Sequence, residues 1–412
     1  MNDRFQQYFL MSEEDIGDYV RSRLDFFDPG ESLTCTEIGD GNVNYVFRVK
    51  GENRSLIVKQ AGKATRIDKN WFLSTDRGRI EADVLTIQEE LAPGLVPKVY
   101  LYDPVMCAIL MEDMAGYTMM RTALMEHRRF PHFAEQISTF LVNSLLLTSS
   151  VVMEHKAKKD RVRSFINPEL CEISEQLVYT EPYNNEKNRN LVFAPNEAFV
   201  REHLYENKPL HLAVAKLKFD FMNNAQCLIH GDLHTGSIFI NDTHTFVFDP
   251  EFAFYGPAGY DVGNIIANLL FAWCNADATM EEGEERETQK QWLERAVTDI
   301  IDMFITKYHI AFKENVNDSM AKTDGFEDWY LNELLESTAG VTGLELNRRI
   351  VGMAQVKDIT TIADASKRAA AERILITAAN RYILEASRFK TGADFLNNFL
   401  DAVRQEGGES RT

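Results

Sequence analysis

The sequence predicts an α+β protein with a small N-terminal lobe built on an antiparallel sheet and a larger, mainly helical C-terminal lobe. Strand patterns fill the part before Met114, and long helical patterns dominate after it. Two acidic clusters, His230-Gly231-Asp232 and Asp249-Pro250-Glu251, are flanked by short apolar runs and provide the clear strand segments of the second part. We therefore place the lobes at residues 1–114 and 115–412.

Five strands and one helix are predicted in the N-terminal lobe. The segment YVFRVKGENRSLIVK is typical of a hairpin with Gly-Glu-Asn-Arg as its turn. The segment RGRIEADVLTIQEEL has helical spacing, with Ile80, Val84, Ile87 and Leu91 on one face. The other predicted strands lie in SLTCTEIG and, as a pair, in KVYLYDPVMCAILMED.

Five segments of the C-terminal lobe have long helical patterns. They are FAEQISTFLVNSLLLTSSVV, EAFVREHLYENKPLHLAVAKLKFDFMNNA, NIIANLLFAWCNA, QKQWLERAVTDIIDMFITKYHIAF and AAAERILITAANRYILEASRF.

The composition indicates a globular protein without a nucleic-acid or membrane partner. The net charge is −19, and such an acidic protein repels nucleic acid and anionic membranes. No apolar run approaches the roughly 20 residues that span a bilayer, and the N-terminus lacks the features of a signal peptide. The five cysteines are scattered and form no C-x-x-C pair, so we expect reduced thiols in a cytoplasmic protein.

A glycine-rich segment, EIGDGNVNYVFRV, places Gly39 and Gly41 between two predicted strands. Such a turn lets backbone N–H groups approach phosphates closely. The protein-kinase pattern G-x-G-x-x-G has its third glycine where this chain has Asn44. Taken alone, the segment is equally compatible with an ordinary hairpin turn.

Lys59 follows the apolar run SLIV, 18 positions after Gly41. Kinase-like enzymes use a strand lysine of this kind to hold nucleotide phosphates, and they pair it with a glutamate on a helix. Glu81 is the predicted partner. The alternative is that both side chains face solvent.

Asp232 lies in the loop HGDLHTGSI, after the apolar run CLI. It is the candidate acid that accepts a proton from an attacking hydroxyl and orients that hydroxyl. We interpret His234 as a simple loop histidine rather than a residue that supports Asp232. Ser237 stands where aminoglycoside- and choline-kinase-like enzymes carry a metal-binding asparagine, which puts metal binding by this loop in doubt.

Asp249 and Glu251 follow the apolar run FVF. Side chains at i and i+2 of an extended segment point the same way, so the two carboxylates are predicted to clamp Mg²⁺ and phosphate oxygens. Asp249 lies 17 positions after Asp232, which suits a strand, a turn and a second strand. The alternative for each acidic cluster is a turn or strand-end aspartate.

The four segments occur in the order and strand context that a kinase-type phosphotransferase requires. Each alternative is reasonable for one segment, but their joint occurrence is hard to explain by chance. The two acidic clusters are therefore predicted to flank one phosphoryl group. Asp232 would face the acceptor hydroxyl, and Asp249 with Glu251 would face the metal.

Seven segments between Gly39 and Ile359 together resemble the 5-methylthioribose kinase family. They are GDGNVNYVFRV, WFLSTDRGRIE, MEDM, FINPELCEISEQLVYTEPY, LIHGDLHTGSIFI, DPEFAFYGPAGYDVGNIIANL and ELNRRIVGMAQVKDI. The Asp-Pro-Glu triplet, the Gly-Ser end of the HGD loop and the Arg348-Arg349 pair resemble features specific to that family within its superfamily.

The resemblance implies a bilobal protein-kinase-like fold and a homodimer. It implies transfer of the γ-phosphoryl group of ATP, with Mg²⁺ as cofactor, to the 1-hydroxyl of 5-methylthioribose. The product would be 5-methylthioribose 1-phosphate, an intermediate of methionine salvage. The acceptor is uncharged, which suits an acidic protein.

The resemblance also assigns roles to individual positions. Asp232, Arg348 and Arg349 are the implied catalytic residues and, with Asn44, bind the sugar; Asp249 and Glu251 bind the metal. Residues 111–114 match the hinge between the lobes, whose backbone would meet the adenine. The implied nucleotide-binding residues are Gly39, Asp40, Gly41, Asn42, Asn44, Lys59, Glu81, Met111, Glu112 and Met114.

Arg348 and Arg349 lie in LNRRIVG, which has a helical pattern. Adjacent helix residues project about 100° apart, so both can face one pocket only near its rim. A guanidinium there can stabilise charge on the transferred phosphoryl or bind sugar hydroxyls. Without the resemblance, the alternative is a surface helix with two solvated arginines. The segment NWFLSTDRGR is compatible with a mobile cover over the nucleotide and with an anchored loop.

Two other functions remain open on the sequence. One is a kinase of the same fold that phosphorylates another small alcohol such as choline, homoserine or an aminoglycoside, which overall charge does not exclude. The other is a pseudokinase that binds nucleotide without turnover. The presence of Lys59, Asp232 and the two metal-binding acids argues against a pseudokinase.

Overall fold

The computed structural model describes residues 4–39, 43–64 and 72–408. By their internal contacts they form two compact units: Met1–Tyr117 with Phe246–Ala253, and Thr118–Thr245 with Phe254–Thr412. The segment that carries Asp249 and Glu251 thus belongs to the first unit. The division into lobes at residues 1–114 and 115–412 stays a prediction.

A five-stranded antiparallel sheet forms the centre of the first unit. Its strands are β1 (Thr34–Glu37), β2 (Asn44–Lys50), β3 (Ser55–Ala61), β4 (Val99–Asp103) and β5 (Ala108–Glu112). They are arranged in the order β1-β2-β3-β5-β4. The predicted hairpin is present as β2 and β3, with Lys50 opposite Ser55 at its turn end.

Side-chain alternation along β3 separates a core face from the face that carries Lys59. Leu56, Val58 and Gln60 are buried on one side of the strand, and Lys59 lies on the other. Helix α1 (Glu13–Arg23) adds Ile16 to the apolar core on the buried side. Each such buried aliphatic side chain contributes roughly 1.5–3 kcal/mol, so the core holds β3 and therefore Lys59 in place.

Helix α2 (Asp76–Leu91) differs in part from its predicted face. Ile80 and Val84 are buried as expected, whereas Ile87 and Leu91 are only partly buried. Arg77 and Glu81 share the buried face, one helical turn apart. Glu81 was predicted as the partner of Lys59, but Arg77 was missed, because a charged side chain is seldom buried unless it has a partner.

The second unit contains most of the helices and several short strands. The short strands are β6 (Thr118–Met119), β7 (Cys227–Ile229), β8 (Ile238–Ile240), β9 (Thr245–Val247), which leads the chain into the first unit, and β10 (Phe254–Gly256). Antiparallel pairing joins β6 with β8 and β7 with β10. The first helices of this unit are α3 (Met120–Met125), α4 (Phe133–Leu147), α5 (His155–Ser164), α6 (Pro168–Leu177), α7 (Glu181–Asn184), α8 (Glu197–Val200) and α9 (Lys208–Asn223). They are followed by α10 (Gly259–Thr279), α11 (Glu284–Asn315), α12 (Phe326–Val351), α13 (Lys357–Thr360), α14 (Ala365–Leu384) and α15 (Gly392–Gly408).

Helices α10 and α12 form the buried centre of the second unit. They approach closely at Gly263, where an added Cβ atom would lie 2.7 Å from the carbonyl oxygen of Thr338. Any larger residue at Gly263 would force the helices apart. This close approach lets polar side chains of α10 and α12 meet inside the unit.

The predicted fold class is confirmed. The first unit carries a small antiparallel sheet, and the second unit is mainly helical. Within the described part of the chain, no helix is both long and apolar enough to cross a lipid bilayer.

Candidate active site

Lys59 lies on the face of β3 opposite Leu56 and Val58, where two carboxylates meet its ammonium group. Its Nζ atom lies 2.7 Å from Oε2 of Glu81 and also contacts Oδ1 of Asp249. Burial lowers the pKa of Lys59, but the charges of Asp249 and Glu81 outweigh burial and raise the pKa above its usual value. Lys59 is therefore a fixed positive charge at neutral pH, held by the partner that the sequence predicted.

Glu81 is a buried carboxyl group whose environment disfavours its charge. Burial raises the pKa of Glu81 to about 8, against the opposing effect of Lys59. Asp249 adds a like charge nearby, which raises the pKa further. The like charges of Asp249 and Glu251 thus oppose the ionisation of Glu81, whereas Lys59 favours it.

Asp249 and Glu251 do lie close together, but the extended geometry predicted from their spacing is wrong. Asp249 has a left-handed backbone with φ +69°, which is uncommon for a residue other than glycine, and the chain then turns at Glu251. The turn, rather than strand alternation, brings both side chains to the same place.

The acids of this cluster fit a divalent cation. One oxygen atom each from Glu81, Asp249 and Glu251 can be chosen so that all three lie within 4.8 Å of one another. Carboxylate oxygens are the ligands that Mg²⁺ prefers. Burial, and then the charge of Asp249, raises the pKa of Glu251, so a cation here would relieve unfavourable charge.

Arg77 is a fully buried arginine, 2% exposed, that connects Asn44 with Glu251. Its guanidinium donates to Oδ1 of Asn44 at 3.0 Å and to the carbonyl of Gly62 at 2.9 Å. Its Nε atom lies 3.4 Å from Oε2 of Glu251, which also accepts a hydrogen bond from Nδ2 of Asn44 at 2.8 Å. The amide of Asn44, predicted to bind ligands, is therefore engaged by two protein groups.

Part of the predicted glycine-rich loop lies outside the described residues, namely Asp40, Gly41 and Asn42. Gly39 is described and has φ +101°, a backbone conformation that favours glycine. The predicted cover segment is described only from Phe72 onward, and Phe72 is exposed. The two interpretations of that segment both stay open.

The predicted adenine-binding segment, residues 111–114, begins in β5. Its Asp113 carboxylate accepts hydrogen bonds from Arg48 at 2.9 Å and from the Ser55 hydroxyl at 2.7 Å. Strands β2 and β3 thereby fix the segment. The contact of its backbone with adenine stays a prediction.

In the second unit, Asp261 fixes the loop that carries Asp232. Its carboxylate accepts hydrogen bonds from the backbone N–H groups of His230 at 2.7 Å and Gly231 at 3.1 Å. Asp261 lies in the first turn of α10, where a helix favours negative charge. The start of α10 thus determines the backbone position directly before Asp232.

Both oxygens of Asp232 face nitrogen atoms. Its Oδ1 accepts from Nη2 of Arg348 at 3.0 Å and of Arg349 at 3.5 Å, and its Oδ2 lies 3.4 Å from Nε2 of His234. Burial would raise the pKa of Asp232, but His234 and then the two arginines hold it well below its usual value. With 27% of its side chain exposed, Asp232 is an ionised carboxylate that a ligand can reach.

Arg348 and Arg349 are buried, at 8% and 7% exposure, so the alternative of two solvated arginines is wrong. Both contact Glu345, which lies one helical turn earlier on α12. Their Nε atoms face Glu345 and their Nη2 atoms face Asp232. Arg348 and Arg349 thus both contact Asp232 from buried positions. The expectation that they could share a pocket only near its rim is wrong.

His234 supports Asp232, and its interpretation as a simple loop histidine is wrong. Its Nδ1 atom accepts a hydrogen bond from the backbone N–H of Gly236 at 3.0 Å. The proton of the neutral ring must then lie on Nε2, which faces Asp232. The Ser237 hydroxyl donates to the carbonyl of Asp232 at 3.1 Å, so Ser237 stabilises the loop itself.

Several supporting residues were missed by the sequence analysis. Glu345 has a signal in the pattern E-x-x-R-R, because residues three and four apart meet on a helix. Asp261 lies in the quoted segment DPEFAFYGPAGYDVGN, but no local pattern predicts its contact with the Asp232 loop. Asn268 on α10 links Glu345 to Thr235, which only the packing of α10 against α12 could show.

The comparisons with known proteins agree with these observations. Residues 34–297 match the phosphotransferase enzyme family. The chain is 36% identical to a methylthioribose kinase of Bacillus pumilus over 386 residues, which is 93% of this chain and 95% of the relative. It is 33% identical to a methylthioribose kinase of Yersinia enterocolitica over 407 residues, which is 97% of this chain and 100% of the relative.

Among solved structures, a choline kinase from Cryptosporidium parvum is similar, with a TM-score of 0.48 and 12% identity over 97% of this chain and 96% of that one. The resemblance inferred from the sequence segments is confirmed by the two bacterial relatives. The chain is an enzyme of the phosphotransferase enzyme family and belongs to its methylthioribose kinases.

Proposed function

We propose that this enzyme transfers the γ-phosphoryl group of ATP to the 1-hydroxyl of 5-methylthioribose. The products are 5-methylthioribose 1-phosphate and ADP, and the reaction belongs to methionine salvage. The observation that carries the proposal is the ionised Asp232 held by Arg348 and Arg349. The names of the relatives, which are 36% and 33% identical to this chain, support the choice of acceptor.

On the nucleotide side, Lys59 binds phosphate oxygens of ATP. Lys59 also contacts Asp249, and a phosphate that takes the place of this contact would release Asp249. Asp249 and Glu251 are the proposed Mg²⁺ ligands, and the ion would supply neutralisation of the phosphate charge. Arg77 and Asn44 keep Glu251 in position.

On the acceptor side, Asp232 accepts a hydrogen bond from the 1-hydroxyl and orients it for in-line attack. The sugar oxygen forms a bond to the γ-phosphorus while the bond to the β,γ-bridging oxygen breaks, and ADP leaves. The hydroxyl proton passes to Asp232 and then to water. Because its pKa is low, Asp232 acts mainly by orientation, which suits a loose phosphoryl-transfer transition state.

The two arginines stabilise charge in this reaction. Their guanidinium groups already lie at Asp232, so they need no large rearrangement to meet a phosphoryl or a sugar oxygen near that residue. A positive charge fixed in advance in a partly dry site stabilises a transition state more than a mobile charge in water does. Arg348 and Arg349 therefore serve both binding and catalysis in this proposal.

The enzyme is proposed to be a cytoplasmic homodimer without nucleic-acid or membrane partners. The net charge of −19 supports the exclusion of polyanionic partners. Light scattering of the purified protein tests the dimer. The expected mass is twice that of the 47.1 kDa chain, and the mass of a single chain would contradict it.

An acceptor panel tests the proposed reaction. ADP release from Mg·ATP is measured with 5-methylthioribose, choline, homoserine, kanamycin and ribose. We expect robust turnover with methylthioribose alone. Turnover with another acceptor would show that the proposed substrate is wrong, although the proposed mechanism would still apply. ATP binding without turnover on any acceptor would indicate a pseudokinase.

A further inference from the structure

Glu345 is a buried carboxylate, 1% exposed, that divides its two oxygens between the twin arginines. Its Oε1 accepts from Nε of Arg349 at 2.9 Å, and its Oε2 contacts Nε of Arg348. Neither oxygen contacts Asp232, so Glu345 can influence the position of Asp232 only through the arginines and their neighbours. All four side chains belong to the second unit.

Because the guanidinium group is planar, Glu345 constrains the orientation of each arginine. The N–H groups of arginine point in fixed directions, so holding the Nε edge determines where Nη2 points. In both arginines Glu345 takes the Nε edge and Asp232 takes Nη2. Glu345 therefore sets the direction in which both arginines present their donors.

A second link connects Glu345 to the loop of Asp232. Nδ2 of Asn268 donates to Oε1 of Glu345 at 3.3 Å. Oδ1 of the same amide accepts from the Thr235 hydroxyl at 3.1 Å, three residues after Asp232. Burial would raise the pKa of Glu345, but Arg348 and Arg349 hold it below its usual value, so two carboxylates balance two guanidinium groups.

We propose that Glu345 is a positioning residue for phosphoryl transfer, which orients both Arg348 and Arg349 toward Asp232 and the acceptor. The identity of the acceptor rests on the proposed function. The contacts of Glu345 with the two arginines are independent of that function. Glu345 does not touch the reacting atoms; its effect passes through the arginines. Loss of its charge should release both guanidinium groups while the nucleotide-binding residues of the first unit stay unchanged.

Glu345→Gln tests the proposal against a matched control, Glu372→Gln. Glu372 is also 1% exposed and accepts hydrogen bonds from Arg368 at 2.9 Å and Asn196 at 2.8 Å, in the same unit. We expect Glu345→Gln to lower kcat by about 10- to 100-fold and to raise KM for methylthioribose, with KM for ATP unchanged. Glu372→Gln should lower the thermal midpoint and leave both KM values unchanged.

A purely structural role would produce a different pattern. It would reduce the active fraction, and hence kcat, without changing either KM, as in the control. That result for Glu345→Gln would overturn the proposal. If Glu345→Gln does not fold, Glu345→Asp takes its place, because a side chain one methylene shorter should displace both guanidinium groups. It should also lower kcat and raise KM for methylthioribose, and unchanged KM values would overturn the proposal.

An inactive wild type on methylthioribose would refute the proposed acceptor rather than the role of Glu345. A crystal structure of the variant then decides the question without any acceptor. Guanidinium groups displaced from Asp232 would support the proposal. Arginines that keep both contacts with Asp232 in the absence of the Glu345 charge would overturn it.

Discussion

Arg348 and Arg349 are neighbours on α12, yet both donate to the same atom, Oδ1 of Asp232, at 3.0 and 3.5 Å. Together with His234, the larger influence, they keep Asp232 charged in a site where burial alone would favour the neutral acid. A carboxylate stabilised in this way is a weak base. It suits a reaction in which the placement of the hydroxyl matters more than early removal of its proton.

Arg348→Met should raise the pKa of Asp232, because it removes one of the positive charges that lower it. In the wild type, Asp232 is ionised and its charge stabilises the fold at any pH above the ordinary aspartate pKa of about 3.9. This stability is lost as the pH falls through the lower pKa that Asp232 has in the folded enzyme. The acid limb of kcat/KM that belongs to Asp232 therefore lies below about pH 4 and should move upward in Arg348→Met.

A pH series of kcat/KM measures this shift. Arg368→Met is the control, because Arg368 pairs with Glu372 rather than with Asp232. It should leave the acid limb in place. An unchanged acid limb in Arg348→Met would show that the arginine does not control the ionisation of Asp232.

Lys59→Met should raise KM for ATP and lower kcat by about 100- to 1,000-fold, since it removes a fixed charge aimed at the phosphates. It also leaves Glu81 and Asp249 without their shared cation. Lys50→Met, on the exposed end of β2, is the matched control. Steady-state kinetics with ATP varied should separate the two variants; equal KM values for ATP would exclude the phosphate role.

Asp249→Ala should abolish Mg²⁺-dependent turnover because it removes one oxygen donor of the acidic cluster. Titration with Mn²⁺ in the presence of ADP, followed by electron paramagnetic resonance, gives a readout that does not depend on catalysis. Asp83→Ala, at a partly exposed position of α2, should bind Mn²⁺ as the wild type does. Normal Mg²⁺ dependence in Asp249→Ala would count against the metal assignment.

Arg77→Met should lower the free energy of unfolding by about 3–5 kcal/mol, the usual cost of removing one partner of a buried ion pair. The loss would leave Glu251 and the carbonyl of Gly62 without the guanidinium. Arg79→Met, two residues away with partly exposed partners, should cost about 0–1 kcal/mol. Urea unfolding compares the two variants, and similar midpoints would show that Arg77 is not structurally important.

Periodicity predicted much of the fold, because many elements bury one face and expose the other. The β2–β3 hairpin and helix α2 are examples. Helix α12 was predicted only at LNRRIVG, although it extends over Phe326–Val351. Its residues from 338 to 351 are all buried, so this stretch has no polar face and no amphipathic period to detect.

The residue types of the candidate site and their order along the chain could be predicted, but their geometry could not. The left-handed backbone of Asp249 has no signal in the residues around it. Arg77 and Glu345 were overlooked because a charged residue is expected at the surface unless a partner is known. The partner of Arg77 is Glu251, far along the chain, and only the folded structure brings them together.

The most direct test of the central claim compares the wild type with Asp232→Asn on 5-methylthioribose. Asparagine keeps the size of the side chain and removes its charge and its ability to accept the proton. We expect the wild type to form the 1-phosphate, identified by ³¹P NMR, and kcat in the variant to fall by at least about 100-fold. Wild-type kcat in Asp232→Asn would contradict the assignment of Asp232 as the residue that orients the acceptor hydroxyl.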